Sequence, residues 1–276
     1  MTCCTGCNTR PLEDLNDNDL FSKPRGSRLM SVAIVTGGGR GIGRAIVDRL
    51  ARDGFSVVAC GRGERPDDLP ALIHWIRADV GDPIEANALV AEANALPGDV
   101  AVLVNNAGVQ VEKTVTSSSD ADWDAVVGTN CRGVFNMCRA VLPLMESLGG
   151  AIVNIGSISG NAADPSMALY NASKAFVHGL TRSIAVDHGP MVRCNAVSPG
   201  WIMTAMADEA FALADKPDKA RADALARHPV GRFGQPQDIA ATVAWLVSDE
   251  AAFVTGQCFT VDGGLTAASP LQPGLF

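Results

Sequence analysis

Tyr170 and Lys174 stand four residues apart in the run MALYNASKAF, and Tyr170 is the only tyrosine among 276 residues. On a helix, positions i and i+4 share one face. A phenol ordinarily loses its proton near pH 10, too high for a base at neutral pH. An ammonium beside it favours the phenolate. Bringing the pKa to about 7 takes roughly three units, or about 4 kcal/mol. A tyrosine so placed can give a proton to a reacting oxygen or take one from it. Upstream, Ser157 in NIGSISG closes an apolar run. Open α/β sheets bind ligands at such strand ends, so its hydroxyl is placed to hold a substrate oxygen beside the phenol. The run GSISG looks like a hydrolase elbow, but its centre is Ile158 rather than serine. That argues against an esterase.

A second signal is a phosphate cradle. The run VAIVTGGGRGIGRAIVDRL reads as strand, glycine turn and helix. Gly37, Gly41 and Gly43 let the backbone turn sharply and approach a pyrophosphate with no Cβ in the way. A helix starting near Gly41 aims its free N–H groups and positive dipole end at the phosphates. The turn follows a strand and opens a helix, which is the context this reading requires.

These groups need a scaffold. Short apolar runs alternate with Ala/Leu-rich helical stretches: VAIVT (32–36), SVVAC (56–60), LIHWI (72–76), VAVLVN (100–105), AIVNIG (151–156), VRCNAV (192–197) and CFTVDG (258–263). Most are nearly continuous in apolar residues, as strands covered on both faces are. The pattern predicts an α/β fold, a doubly wound parallel (Rossmann) sheet of about seven strands with helices on both faces. Residues 30–276 read as a single domain. Residues 1–29 are polar and aperiodic, and read as an extension that is either disordered or precedes a natural start at Met30. Between Arg62 and Ile73, Pro66 and Pro70 leave little room for a crossover helix. Residues 201–236 are long and helix-prone, and read as a mobile flap over a cleft.

Composition excludes several classes. The net charge is −8 and no dense Lys/Arg patch occurs, which argues against nucleic acid. No apolar run approaches the roughly 18 residues of a membrane span. Without a secretory h-region, the cytoplasm is the expected location. Cys3, Cys4 and Cys7 cluster in the extension, with too few ligands nearby for a soft-metal site. Cys60, Cys131, Cys138, Cys194 and Cys258 lie in apolar segments and read as small buried hydrophobes. The histidines are dispersed, and no metal is expected.

The spacing T-G-x-x-x-G-x-G over residues 36–43 resembles the glycine motif of the short-chain dehydrogenase/reductase family. The resemblance runs through VNNAGV, GTNCRG, NIGSISG, YNASK, NAVSPGWIMT and GQCFTVDGG, in family order over about residues 31–265. Only the shortened second crossover departs from the pattern. The resemblance implies a nicotinamide dinucleotide lying along Gly37, Arg40, Gly41, Ile42 and Gly43. Asp79 and Val80 would meet the adenine, and Asn106, Ala107 and Gly108 would line the cofactor. Pro199 and Gly200 would turn beneath the nicotinamide, with Ile202 and Thr204 at its carboxamide and phosphate side. The implied catalytic set is Ser157, Tyr170, Lys174 and Asn130. Lys174 would also bind the nicotinamide ribose and, together with the positive ring of an oxidised nicotinamide, lower the phenol toward neutrality; Asn130 would support a water chain from Lys174 to solvent. The family commonly forms dimers and tetramers, here through segments 120–148 and 168–188.

NAD-preferring sites carry an acidic residue at the end of the second strand for the ribose 2′-OH, whereas a 2′-phosphate prefers arginine. Here Gly61 takes that position and Arg62 follows. Arg40 precedes the second motif glycine, and Arg65 is nearby. This points to NADP, with NAD as the alternative. The expected reaction is NADPH-dependent reduction of a ketone of 3-oxoacyl type. A NAD-dependent secondary-alcohol, hydroxysteroid or sugar dehydrogenase is the alternative, and a non-catalytic nucleotide-binding regulator is a third reading. The expected substrate pocket is Val109, Gln110, Ile158, Asn161, Trp201, Met203 and Met206. It is mostly apolar, which suits a small neutral ketone or alcohol.

Overall fold

The computed structural model of the chain describes residues 31–212 and 214–268. The expectations for residues 1–29, including Cys3, Cys4 and Cys7, lie outside them. Seven parallel strands form one sheet: β1 (Ser31–Thr36), β2 (Ser56–Gly61), β3 (His74–Arg77), β4 (Asp99–Asn105), β5 (Gly150–Ile155), β6 (Val192–Pro199) and β7 (Cys258–Val261). Their order is β3-β2-β1-β4-β5-β6-β7. The chain winds outward from β1 in one direction, then returns to β1's other side with β4. The split between β1 and β4 is therefore the topological switch point, where such sheets bind ligands.

Successive residues of β1 belong to different cores. Val32 and Ile34 pack on one face with Leu103, Met137, Val141 and Ile152. Ala33 and Val35 pack on the other with Ile46, Leu50, Ile239 and Val243. The pleat sends alternate side chains to opposite faces, so a strand covered on both must be apolar throughout. The covering helices are α2 (Pro83–Asn94), α4 (Val134–Leu148) and α5 (Ala168–Asp187) on the first face. On the second are α1 (Gly41–Arg52) and α8 (Pro236–Val247). A leucine fully buried like Leu50 contributes about 2–5 kcal/mol against alanine.

No helix connects β2 to β3. The Arg65 guanidinium organises the loop by donating to the carbonyls of Ile73 (2.7 Å), Pro70 (2.8 Å) and Leu69 (3.1 Å). Leu69 and Ile73 are buried and plug into the core beside α1. Arg65 is thus a loop-forming residue, which removes it from the set that could meet a cofactor.

Helix α3 (Asp120–Val127) runs into a π-helical stretch, Gly128–Gly133, that continues as α4. The segment predicted as a mobile flap contains two helices, α6 (Ala205–Ala212) and α7 (Pro217–Ala226). Aromatic packing holds it. Trp201 stacks on Phe211 at 5.0 Å between centroids, Phe211 meets Phe233 at 5.6 Å, and Arg221 lies over both phenyl rings. It is a packed cover rather than a loose excursion.

Candidate active site

The glycine turn leaves β1 at Gly37 and enters α1 at Gly41, both with positive φ (64° and 54°). A Cβ on Gly43 would fall 2.1 Å from the Gly37 carbonyl oxygen, so only glycine lets the helix settle on the turn. No side chain caps α1 and no acidic residue lies in its first turn. Its first N–H groups remain available to an anion.

The two sides of the β1/β4 split are laced together. Asn106 donates from Nδ2 to the carbonyls of Thr36 (3.0 Å) and Gly37 (3.1 Å). The Thr36 hydroxyl accepts the backbone N–H groups of Asn106 and Ala107, both at 3.0 Å. The cleft above has a volume of about 730 Å³, within the range of cofactor sites. Every cofactor position expected from the resemblance lies along its wall, from Gly37, Arg40, Ile42 and Arg62 through Asp79 and Val80 to Pro199, Gly200, Ile202 and Thr204. Thr204 comes close to Gly41, joining the cover to the glycine turn.

At one end of the cleft the side chains of Arg40 and Arg62 are exposed. Between them, a Cβ on Gly61 would lie 2.9 Å from Cη2 of Trp75, and one on Gly39 would lie 3.2 Å from it. The indole of β3 thus occupies the space that an acidic side chain at position 61 would need. Val80 is buried against Gly133, and its carbonyl accepts from the buried amide of Asn136 (3.0 Å). Asn136 escaped the sequence reading because nothing in its helix context marks it.

The other end holds Ser157, Tyr170 and Lys174. Tyr170 and Lys174 lie on one face of α5, and Nζ sits 5.5 Å from the centre of the phenol ring. Nζ also donates to the Ile155 carbonyl at 2.9 Å, at the end of β5. Burial lowers Lys174 to about 8. Burial likewise raises Tyr170 above its ordinary value, opposed by hydrogen bonding from Ser157 and reinforced by the charge of Asp164. The expected lowering of the phenol rests on Lys174 together with the positive ring of an oxidised nicotinamide; in the chain alone, burial sets the direction upward.

Asn130 lies in the π-helical stretch, buried and outside the cleft wall. Its amide clamps the loop after β4: Oδ1 accepts from Val109 N–H and Nδ2 donates to the Val109 carbonyl, both at 2.8 Å. Nδ2 also donates to Ser173 Oγ (3.0 Å), which bonds the Tyr170 carbonyl. A widened helical turn at a ligand cleft is a recurrent arrangement.

Of the expected substrate pocket, Val109, Gln110, Ile158 and Trp201 line the cleft. Asn161 does not; it is exposed and pairs with Nδ1 of His178 (3.2 Å). Met203 does not either, and its sulfur instead meets the Arg221 guanidinium at 3.9 Å. In the turn after β6, residues 199–202, 204 and 205 line the cleft, whereas Met203 faces α7. The side chain of Met206 lies outside those described. The sequence reading missed Ser159, Asp164 and Glu112, which also line this end. The described cysteines are all free; Cys60, Cys138 and Cys194 are buried, whereas Cys131 and Cys258 are only half-buried. Among the described residues no group of three His, Cys, Asp or Glu side chains is placed to hold a metal ion.

Residues 37–266 match the family model described as enoyl-(acyl carrier protein) reductase. A 3-oxoacyl-(acyl-carrier-protein) reductase of Thermotoga maritima is 37% identical over 244 residues, spanning 85% of this chain and 97% of that protein. The chain belongs to the short-chain dehydrogenase/reductase family. A 2-(S)-hydroxypropyl-CoM dehydrogenase of Xanthobacter autotrophicus is 39% identical over 246 residues, 86% of this chain and 96% of that one. Among solved structures, the ligand-free aldohexose dehydrogenase of Thermoplasma acidophilum superposes with a TM-score of 0.83 at 35% identity, covering 88% of this chain and 96% of that one. As a family member this chain is an NAD(P)-dependent oxidoreductase that interconverts carbonyl and CH–OH groups.

Proposed function

We propose that the protein reduces a neutral ketone of 3-oxoacyl type with NADPH. One observation carries the reading: Ser157, Tyr170 and Lys174 line the same cleft as the uncapped N-terminus of α1. The residues fit a dinucleotide. The bare first turn of α1 and the Gly37/Gly43 contact make a phosphate cradle that any Cβ would fill. Arg40 and Arg62 would hold a 2′-phosphate, and Lys174 Nζ the ribose hydroxyls. Bound in reduced form, the nicotinamide supplies a hydride to the carbonyl carbon. Ser157 orients the carbonyl oxygen. Tyr170, a phenol that is protonated at neutral pH and that burial holds above its ordinary value, donates its Oη proton to that oxygen as negative charge develops there. Lys174 stabilises the phenolate left behind. Asn130 holds the loop that forms the wall opposite, and we assign it the relay that returns a proton to Lys174.

A second reading has specific support. Gln110, Glu112 and Asp164 at the substrate end offer hydrogen bonds to a hydroxylated substrate, and the structural relative is an aldohexose dehydrogenase. We also infer a homo-oligomer in a reducing cytoplasm. Trp123, Phe135, Phe176 and Val186 leave apolar surface exposed on α3, α4 and α5. Among the described residues no helix is long and apolar enough to cross a membrane.

The test is a panel of 3-oxoacyl thioesters, cyclic ketones, secondary alcohols and aldohexoses, run with both cofactors. Turnover of the thioesters with NADPH supports the first reading. NADH outperforming NADPH tenfold defeats the cofactor assignment. No turnover of any member favours a non-catalytic nucleotide-binding role.

A further inference from the structure

Ser157 is not an isolated hydroxyl. Its Oγ accepts the backbone N–H of Ser159 (3.1 Å) and lies 3.0 Å from Ser159 Oγ, to which it donates. Ser159 Oγ in turn donates to the Asp164 carboxylate. Both serines are buried, and all three residues line the substrate end of the cleft. The loop carrying Asp164 is tied to the catalytic helix, because Asn171, next to Tyr170, donates from Nδ2 to the Asp164 carbonyl (3.0 Å).

We propose that Asp164 is a positioning residue of the active site, which acts through Ser159 to fix the direction of the Ser157 hydroxyl. This rests on the proposed reading of Ser157 and Tyr170. A hydroxyl has one proton and two lone pairs. A carboxylate accepts only, so it orders the chain with each hydrogen pointing toward Asp164. Ser157 then presents a lone pair to the cleft and is an acceptor for a substrate alcohol; to donate to the Tyr170 oxygen, the bond that opposes the rise of the phenol, it must turn its hydrogen back. A substrate carbonyl must turn that hydrogen back to be held by it. The same carboxylate acts on Tyr170 by charge, favouring the protonated phenol. The other titratable groups here are Lys174 on α5, Cys131 of the π-helical stretch, which acts on Lys174, and His178, on which Lys174 acts. Glu112 lies on the loop after β4. Asp164 is the carboxylate that acts on the phenol.

Two variants test this. Asp164→Asn keeps the backbone bond to Asn171 and removes the charge. Ser159→Ala keeps the charge and cuts the chain. Tyr170 is the only tyrosine, so its ionisation is read directly from tyrosinate absorbance, independently of turnover. With Asp164→Asn, the tyrosinate titration and the alkaline limb of kcat/KM for reduction should both move down by about half a unit or more. With Ser159→Ala, the titration should stay in place while kcat changes by about tenfold, the scale of one hydrogen bond. NADPH binding should persist in both. Wild-type titration, pH profile and kcat in both variants would overturn the proposal. Wild-type inactivity on every ketone and alcohol would defeat the underlying reading of the site, but leaves the absorbance shift as a separate test of Asp164.

Discussion

Lys174 Nζ lies over the ring of Tyr170 and donates to the carbonyl of Ile155, so one ammonium ties α5 to the end of β5. Three roles meet in one buried group: it faces the phenol, it closes the strand end, and it lines the cleft. Burying it carries a cost that the rest of the fold must offset.

That cost is measurable. Lys174 falls to about 8 from an ordinary 10.5. Between those values the unfolded chain holds a proton that the folded chain does not. Stability therefore rises with pH across that window, and below it the full penalty applies. The penalty is up to about 3 kcal/mol. Lys174→Met should be inactive yet melt higher than wild type at pH 7, with the advantage vanishing toward pH 10.5. Thermal unfolding at the two pH values checks it, and an equal difference at both would contradict it.

His178 sets the acid side. It is buried on α5, with Nδ1 donating to Asn161 and Nε2 accepting from Ser198 (2.9 Å). The ring is wedged between Gly156 and Gly160, where any Cβ would strike it. Burial, then Lys174 and Arg182, hold its pKa below 6.5. The unfolded state takes the proton first, so stability falls as pH drops below 6.5. Denaturant titrations of wild type and His178→Gln should show a shallower acid slope for the variant. Parallel curves would remove His178 as the cause.

Cofactor preference should be a property of two sites rather than one. Arg40→Ala or Arg62→Ala should weaken NADPH by about tenfold or more and leave NADH unchanged, the worth of a charge-assisted hydrogen bond. The loss should shrink at high salt.

Installing an acidic residue should fail by itself. The Cβ of Gly61→Asp would sit against the Trp75 indole. That single variant should lose NADPH without gaining NADH, and only the double variant with Trp75→Ala should turn over NADH better than wild type. A gain from Gly61→Asp alone would show that the indole moves aside freely.

Much of this was legible in residues whose physics is local. Strand runs such as 32–36 are apolar throughout because both faces are covered. The turn at Gly37 and the four-residue step from Tyr170 to Lys174 are local geometry as well. The missed features are those that tertiary folding assembles. Asp164 reaches Ser159 only because its loop folds back onto α5 through Asn171. Trp75 covers Gly61 from the neighbouring strand. Arg65 looked available because its three carbonyl partners lie in a loop without regular structure. Met203 was misplaced because the turn after β6 decides which residues face the cleft, and the spacing of apolar residues does not reveal it.

The central claim is that the Tyr170 hydroxyl moves the proton. The direct measurement is steady-state ketone reduction by Tyr170→Phe, with NADPH affinity followed by fluorescence on the same sample. Removing a positioned acid should lower kcat by about a hundredfold or more. NADPH binding should remain within about twofold, because phenylalanine keeps the ring that Lys174 packs against. Turnover near the wild-type rate, with binding intact, would show that another group carries the proton and that the sole tyrosine is structural.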